Sequence, residues 1–145
     1  MAVAGNSYVV TLKQAHLDWG RHRYTNSRGM VYGEGYIQIK APDARSFDIY
    51  NCKYNPNMSD VLGVNIFNCT STDGFFTGEL KAAGNQSDGI HAKQFEGNGN
   101  LKALGSWYAH LNAQVGDHVE VTWTSPTDIV IRHFQCKKIV PEQLL

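Results

Sequence analysis

Three arginines, with a histidine, a tyrosine and small polar residues between them, lie in the stretch "RHRYTNSR", Arg21 to Arg28. The wider segment from Lys13 to Arg28 has four basic residues and one acidic residue, Asp18, so its local charge is +3. In the whole chain, 13 Lys and Arg balance 13 Asp and Glu. Because there is no net charge to attract polyanions in general, this segment predicts a local anion-binding surface.

The residue types of this segment fit nucleic acid. A guanidinium group binds phosphate oxygens or the O6/N7 edge of guanine with two hydrogen bonds, and an Asn side chain matches the N6/N7 edge of adenine. The DNA-binding residues predicted here are Lys13, Arg21, His22, Arg23, Tyr24, Asn26, Ser27 and Arg28. The alternative is a solvated loop whose arginines pair with Asp18, Glu34 or Asp43.

A second polar segment, "GNQSDGIHAKQ", follows a predicted strand. Its residues are donors and acceptors with long reach, and two such projections from one barrel could straddle a major groove about 12 Å wide. The DNA-binding residues predicted here are Lys81, Asn85, Gln86, Ser87, Asp88, His91, Lys93 and Gln94. Asp88 either accepts a hydrogen bond from cytosine N4 or closes the turn.

Catalytic chemistry has weaker support in the sequence. Glu79-Leu80-Lys81, preceded by Asp73, has the outline of a Mg²⁺-dependent nuclease site, but Asp73 lies in a turn only six residues before Glu79. The six histidines show no metal-binding spacing, and "EGNGN" lacks the Lys-Ser/Thr of a phosphate-binding loop. The sequence predicts no catalytic residue, metal ligand or cofactor. A small nuclease and a carbohydrate-binding all-β module, suggested by the Asn, Gly and aromatic content, remain rival interpretations.

Alternating and β-branched segments predict about seven short strands and two short helices, and therefore a barrel or sandwich. The predicted strands cover Tyr8–Asp18, 30–40, Val61–Ser71, Phe75–Ala83, 90–97, 119–123 and Ile129–Phe134, and the predicted helices cover Pro42–Phe47 and 101–113. Asp73-Gly74 predicts a tight hairpin turn. The aromatic residues assigned to the core are Phe67, Phe75, Phe95, Trp107, Trp123 and Phe134.

Length and composition limit the class of protein. At 145 residues and 42% hydrophobic residues the chain is predicted to form one domain. No apolar run approaches the roughly 18 residues that span a bilayer, and the N-terminus lacks a signal pattern, so we expect a cytoplasmic protein without a membrane partner. The cysteines, Cys52, Cys69 and Cys136, are expected to be buried or half-buried free thiols.

Two stretches resemble the B-three DNA-binding pseudobarrel. "EGYIQIKAPDARSF" is similar to that family's strand followed by Pro and Ala at a helix start. "GNLKALGSWYAHLNAQVGDHVEVTWTSPTDIVIRHF" resembles its C-terminal third, a Trp-bearing helix followed by a Gly-Asp turn and two strands. The matching residues are Trp107, Val115, Gly116, Asp117, Val119 and Val121. Where the plant members have Gly-Trp, Gly105-Ser106-Trp107 stands here, and the chain looks closer to the effector domains of bacterial restriction endonucleases of the EcoRII and BfiI type.

The resemblance implies a seven-stranded open pseudobarrel with two short helices, whose two arms enter the major groove of double-stranded DNA. The arginine segment lies where the N-terminal arm would be, and 85–94 lies where the C-terminal arm would be. We therefore predict that residues 1–145 form one B-three-like domain. Its predicted role is sequence-specific recognition in restriction and modification, with the nuclease in a fused or associated domain.

Overall fold

Strands β1 to β7 form one sheet in the computed structural model, which describes residues 2–18, 33–52, 60–84 and 89–136. The elements are β1 (Ser7–Thr11), α1 (Gln14–Leu17), β2 (Ile37–Gln38), α2 (Ala41–Ser46), β3 (Ile66–Ser71), β4 (Thr77–Ala83), β5 (Gln94–Gly97), α3 (Ala103–Leu111), β6 (His118–Ser125) and β7 (Asp128–Phe134). The strand order is β1-β6-β7-β3-β4-β5-β2, and only β3 and β7 pair in parallel. The sheet curls into a nearly closed barrel, which confirms the predicted mainly β pseudobarrel.

The core follows the alternation of the strands. On β6, Val119, Val121 and Trp123 are all fully buried, as their spacing predicts. The Trp123 ring lies 5.9 Å from the ring of Phe67 and 6.3 Å from that of Phe95, measured between centroids. Side chains from β3 and β5 therefore pack against the Trp123 indole of β6, at the centre of the core.

The predicted Asp-Gly hairpin is present, and a second antiparallel strand pair follows it. Strands β3 and β4 pair in antiparallel register, and Gly74 takes a positive φ of 80° in the Asp-Gly turn between them. The Ser71 hydroxyl accepts a hydrogen bond from the Phe76 N–H at 2.9 Å, which fixes the same turn. Strands β4 and β5 are also antiparallel, with Ala83 opposite Gln94. These turns place β3, β4 and β5 side by side.

Strands β1 and β2 are the two edges of the sheet, and in the described residues they do not pair with each other. We call the line along which these two edges face each other the seam of the barrel. The Tyr8 hydroxyl donates to the carbonyl of Gln38 at 3.1 Å, and the Tyr108 hydroxyl donates to the carbonyl of Tyr36 at 2.8 Å. Burial is the main cause that raises the pKa of both Tyr8 and Tyr108, so both hydroxyls keep the proton that they donate. Side chains thus connect β2, which has only two residues, to the rest of the barrel.

The structure also corrects several sequence-based predictions. The predicted strand Tyr8–Asp18 ends at Thr11, because the Leu12 N–H donates to the carbonyl of Asp117 and the chain then turns into α1. Phe75, predicted to lie in the core, is 48% exposed and stacks on the ring of His110. Cys136 is exposed rather than half-buried. No helix in the described ranges is long and apolar enough to cross a membrane.

The Gly-Asp turn has a structural explanation. Gly116 takes a φ of 97°, which only glycine adopts readily. The buried carboxylate of Asp117 accepts hydrogen bonds from the backbone N–H groups of Gln114 and Cys136 and lies 2.9 Å from His133 Nε2. Burial alone would raise the pKa of Asp117, but these contacts outweigh it and lower the pKa. Asp117 therefore joins the start of β6 to the end of β7.

Replacing Tyr108 with Phe is expected to destabilise the barrel by about 1 kcal/mol, because the Tyr36 carbonyl loses its donor. Urea denaturation measures this change. The control is Tyr50→Phe, since the Tyr50 hydroxyl makes no hydrogen bond in the described part of the chain. Equal stability of the Tyr108 variant and the wild type would mean that the hydroxyl does not hold the seam.

Replacing Asp117 with Asn is expected to lower the free energy of unfolding by about 2 kcal/mol at pH 6, because hydrogen bonds to a charged group are lost. The folded-state pKa of Asp117 is lowered, so its contribution is present above the unfolded pKa, about 3.9. The contribution is lost as pH falls through the folded pKa, so the gap between the variant and the wild type should narrow steadily as the pH is lowered below the unfolded pKa. Asp60→Asn, an exposed control, should change stability little; a gap for Asp117→Asn that does not depend on pH would contradict the assignment.

Candidate nucleic-acid interface

The tips of both predicted arms lie outside the described residues. The structure therefore leaves these members of the predicted site as predictions: Arg21, His22, Arg23, Tyr24, Asn26, Ser27, Arg28, Asn85, Gln86, Ser87 and Asp88. It does describe the residues from which each segment starts and ends, Asp18 and Gly33 for the first and Gly84 and Gly89 for the second. We call these two places the first root and the second root.

The first root is closed by a contact between α1 and the residues before β2. The Tyr36 N–H donates to the carbonyl of His16 at 3.1 Å. The two rings also meet edge to face, with centroids 4.9 Å apart. The contact lies two residues before Asp18 and three residues after Gly33. Both ends of the arginine segment therefore start from one place on the barrel.

His16 supports this root as a neutral side chain. It is only 2% exposed, and its Nδ1 accepts a hydrogen bond from the Lys13 N–H at 3.2 Å. Burial, with a smaller contribution from the charge of Lys13, lowers the pKa of His16 to about 4. At neutral pH the imidazole can therefore accept this bond, and it adds no charge for an anion to bind.

Helix α3 also packs against the first root. The Gly35 N–H donates to the carbonyl of Leu101 at 3.3 Å. Gly105 approaches the backbone of Gly33 so closely that a Cβ at position 105 would collide with the Gly33 carbonyl oxygen. A Cβ on Gly35 would lie 3.0 Å from the backbone nitrogen of Gly105. The glycines at 35 and 105 therefore allow the helix and the root to make backbone contact.

The second root lies between β4 and β5. The Lys93 N–H donates to the carbonyl of Ala83 at 2.8 Å, and the Lys93 carbonyl accepts from the Ile39 N–H at 2.7 Å. Gln94 pairs with Ala83 on one side and with Gln38 on the other. The end of β2 is thus part of the second root.

The two roots are close together because the short strand β2 connects them. Tyr36 contacts the first root through His16 and Gln38 pairs with Gln94 beside the second, and these two residues of β2 and its start lie about 7 Å apart along the chain. Both roots also contact β5, since Ile37 pairs with Phe95 and Gln38 with Gln94. The β2–β5 pair therefore positions the start of both predicted arms.

The predicted site residues around the second root differ in what they contact. Lys81 forms an ion pair with Asp60 at 3.2 Å, and Gln94 donates to the carboxylate of the buried Glu96 at 3.2 Å. The His91 ring stacks on the ring of Tyr50 with centroids 5.8 Å apart. Lys93 is exposed, as is Lys13 beside the first root. Lys81, His91 and Gln94 therefore have structural partners within the chain.

The residues of the rival nuclease interpretation have separate partners. The Asp73 carboxylate accepts from Trp107 Nε1 at 3.2 Å and lies 3.7 Å from His110 Nε2. Glu79 accepts a hydrogen bond from the Asn98 side chain at 2.9 Å. Asp73 thus contacts α3, whereas Glu79 contacts the turn after β5. Within the described ranges, no three His, Cys, Asp or Glu side chains are grouped so that they could hold a metal ion.

Two further exposed lysines, Lys40 and Lys102, border the roots and were not among the predicted site residues. Each immediately precedes a helix, α2 or α3. The sequence does contain a signal for these two lysines. A cation just before a helix interacts unfavourably with the helix dipole, so its presence there suggests a role other than helix stability.

No protein-family model matches the chain, and no curated protein is significantly similar to it. The B-three resemblance therefore stays at the level of the motifs quoted above. Function has to be inferred from the residues of this chain and their geometry.

Replacing Gly105 with Ala is expected to destabilise the protein by about 1 to 3 kcal/mol, because the added methyl group forces α3 and the first root apart. Hydrogen exchange should also become faster at the Gly35 and Tyr36 amides. Ser106→Ala, at an exposed position of the same helix, is the matched control. Wild-type exchange rates at those two amides in Gly105→Ala would show that α3 does not hold the root.

Proposed function

We propose that this chain binds double-stranded DNA with sequence specificity and is the non-catalytic recognition module of a restriction endonuclease. The nuclease activity then belongs to a fused or associated domain. The observation that carries the DNA-binding proposal is the common origin of two polar segments, one with three arginines, at the β2–β5 pair. The assignment to restriction rests on the resemblance alone.

The spacing of the roots supports DNA as the ligand. Two segments that start on either side of the short β2–β5 pair can reach the two sides of a groove about 12 Å wide. The contacts of His16, Tyr36 and Gly105 fix the first root, so the place from which the arginine segment starts is set by the barrel.

The chemistry assigns a role to each residue type. Arg21, Arg23, Asn26 and Arg28 are proposed to read base edges or clamp phosphates from the first segment. The second segment contributes Asn85, Gln86, Ser87, His91, Lys93 and Gln94 from the opposite side. Lys13 and Lys81 are proposed to contact phosphates, and Lys81 must then exchange its ion pair with Asp60 for one with phosphate.

A second candidate, carbohydrate binding, is favoured by one feature. A cleft of about 480 Å³ lies on the outer face of β3, β4 and β7, and its lining includes Asn68, Thr70, Glu79 and Asp128. Amide, hydroxyl and carboxylate groups are suitable partners for sugar hydroxyls. No aromatic side chain lines the cleft, and its two carboxylates repel a polyanion. The cleft therefore does not explain the arginine segment.

The test is selection of bound duplexes from a random pool, followed by titration of variants on the selected duplex and on single-mismatch duplexes. An arginine with two bonds to guanine should lose about 1 to 3 kcal/mol of binding when changed to Ala, and specificity should relax at one position only. A phosphate contact should weaken all duplexes alike.

Arg132→Ala is the control, because Arg132 is ion-paired with Glu120 on strands far from β2 in the sheet. Equal losses on every duplex for all arginine variants would remove the claim of specificity. Sugar binding that hardly changes with salt, without duplex binding, would favour the second candidate.

A further inference from the structure

A lysine occupies the N-cap of every helix in the described ranges: Lys13 for α1, Lys40 for α2 and Lys102 for α3. Ser, Thr, Asp and Asn are the residues that stabilise this position, since their side-chain oxygens accept from free N–H groups. A positive charge at a helix N-terminus also opposes the helix dipole. The N–H groups of Lys13 and Lys102 are capped by other side chains, the His16 Nδ1 at 3.2 Å and the Asn100 Oδ1 at 3.0 Å, so the lysine side chains are not needed as caps. Helix stability therefore does not explain these lysines.

The three lysines lie beside or within residues 33–40, the stretch of chain that joins the two roots. Lys13 precedes α1, whose His16 carbonyl binds the Tyr36 N–H. The aliphatic carbons of Lys102 lie beside Gly33, where an added Cβ would contact them at 3.8 Å. Lys40 directly follows Ile39, whose N–H binds the carbonyl of Lys93. They therefore border the residues from 33 to 40.

Two neighbouring backbone amides join the first root to α1 and to the residues before α3. The Gly35 N–H binds Leu101 next to α3, and the Tyr36 N–H binds His16 in α1. Lys102 and Lys13 thus both lie near the root, and Lys40 lies at most about 18 Å along the chain from Gly35.

All three lysines are exposed, and none forms an ion pair with a carboxylate among the described residues. The cations elsewhere on the sheet differ, since Lys81 pairs with Asp60 and Arg132 pairs with Glu120. A group of exposed cations without acidic partners produces a positive local potential on a chain with no net charge.

We propose that Lys13, Lys40 and Lys102 form a row of phosphate contacts along β2, between the roots of the two arms. The row would hold the DNA backbone without reading sequence, whereas the arms read the bases. This inference rests on the proposed function and adds Lys40 and Lys102 to its binding surface. The ligand chemistry is the phosphodiester backbone of a duplex.

The first test removes each charge by Lys→Gln substitution and measures affinity for the selected duplex between 50 and 200 mM salt. Each phosphate contact that is lost should reduce the slope of log affinity against log salt by about 0.9, which is roughly eightfold in affinity at 0.1 M salt. The loss should be the same on matched and mismatched duplexes, and Lys102→Arg should retain binding. Arg132→Gln, with the same change in net charge on β7, should leave the slope unchanged.

The second test uses Lys13→Ser and Lys40→Ser, because the extended backbone at both positions suits a serine cap. Each variant should raise Tm by about 2 °C and still weaken DNA binding. A purely structural role for the lysines cannot produce these opposite changes.

Wild-type slopes for all three Gln variants, in a protein that does bind duplexes, would overturn the lysine row and leave the proposed function standing. Losses confined to particular mismatches would also overturn it, because they indicate base contacts. A wild-type protein that binds no duplex at 50 mM salt would overturn both proposals.

Discussion

The seam between β1 and β2 is the constraint on which the rest of the structure depends. Strand β2 has only two residues, and in the described part of the chain it pairs with β5 alone. A two-residue strand contributes too few backbone hydrogen bonds to hold an edge in place. Its position is set instead by the hydroxyls of Tyr8 and Tyr108 and by the backbone contacts of Gly105. These groups are buried, so each unmade bond would leave a polar atom without water.

The same contacts organise the candidate interface. The seam fixes the residues that precede and follow β2, and these residues are the ends of the first root and part of the second. Helices α1 and α3 hold the seam, and their N-cap lysines are thereby carried to its surface. The contacts that close the barrel thus also bring positively charged side chains together at the seam, in a chain whose net charge is zero. The cost of unfavourable N-caps is consistent with selection for binding at these positions.

The strand patterns were sufficient to predict a barrel or sandwich because their signals are local and consistent, and the B-three resemblance was needed to choose the barrel. The alternation of Val119, Val121 and Trp123 and the Asp73-Gly74 turn were confirmed, since each is decided by neighbouring residues. Leu12, His16 and Trp19 also have helical spacing, but a strand was predicted for the α1 segment because four helical residues give too short a pattern to outweigh its β-branched start. The position of the Phe75 ring could not be predicted from its neighbours. The ring stacks on His110, 35 positions away, at the surface rather than in the core.

The candidate site was predictable only in part. Loop composition located the arginine segment, but the proximity of its root to the β4–β5 root depends on the pairing of β2 with β5, which no local pattern encodes. Lys81 and His91 looked available from the sequence, and the structure gives them Asp60 and Tyr50 as partners. The lysines that precede α2 and α3 were not predicted as site residues, because the patterns that predicted the two helices did not include the residue before each helix.

Binding of a duplex at the β2–β5 pair is the central claim, and amide NMR during titration with a selected duplex tests it most directly. We expect the largest shift changes in residues 33–40 and 89–94, with little change along β7. Changes concentrated on β3, β4 and β7, around the Asn68 cleft, would contradict the account, as would a spectrum that no duplex alters.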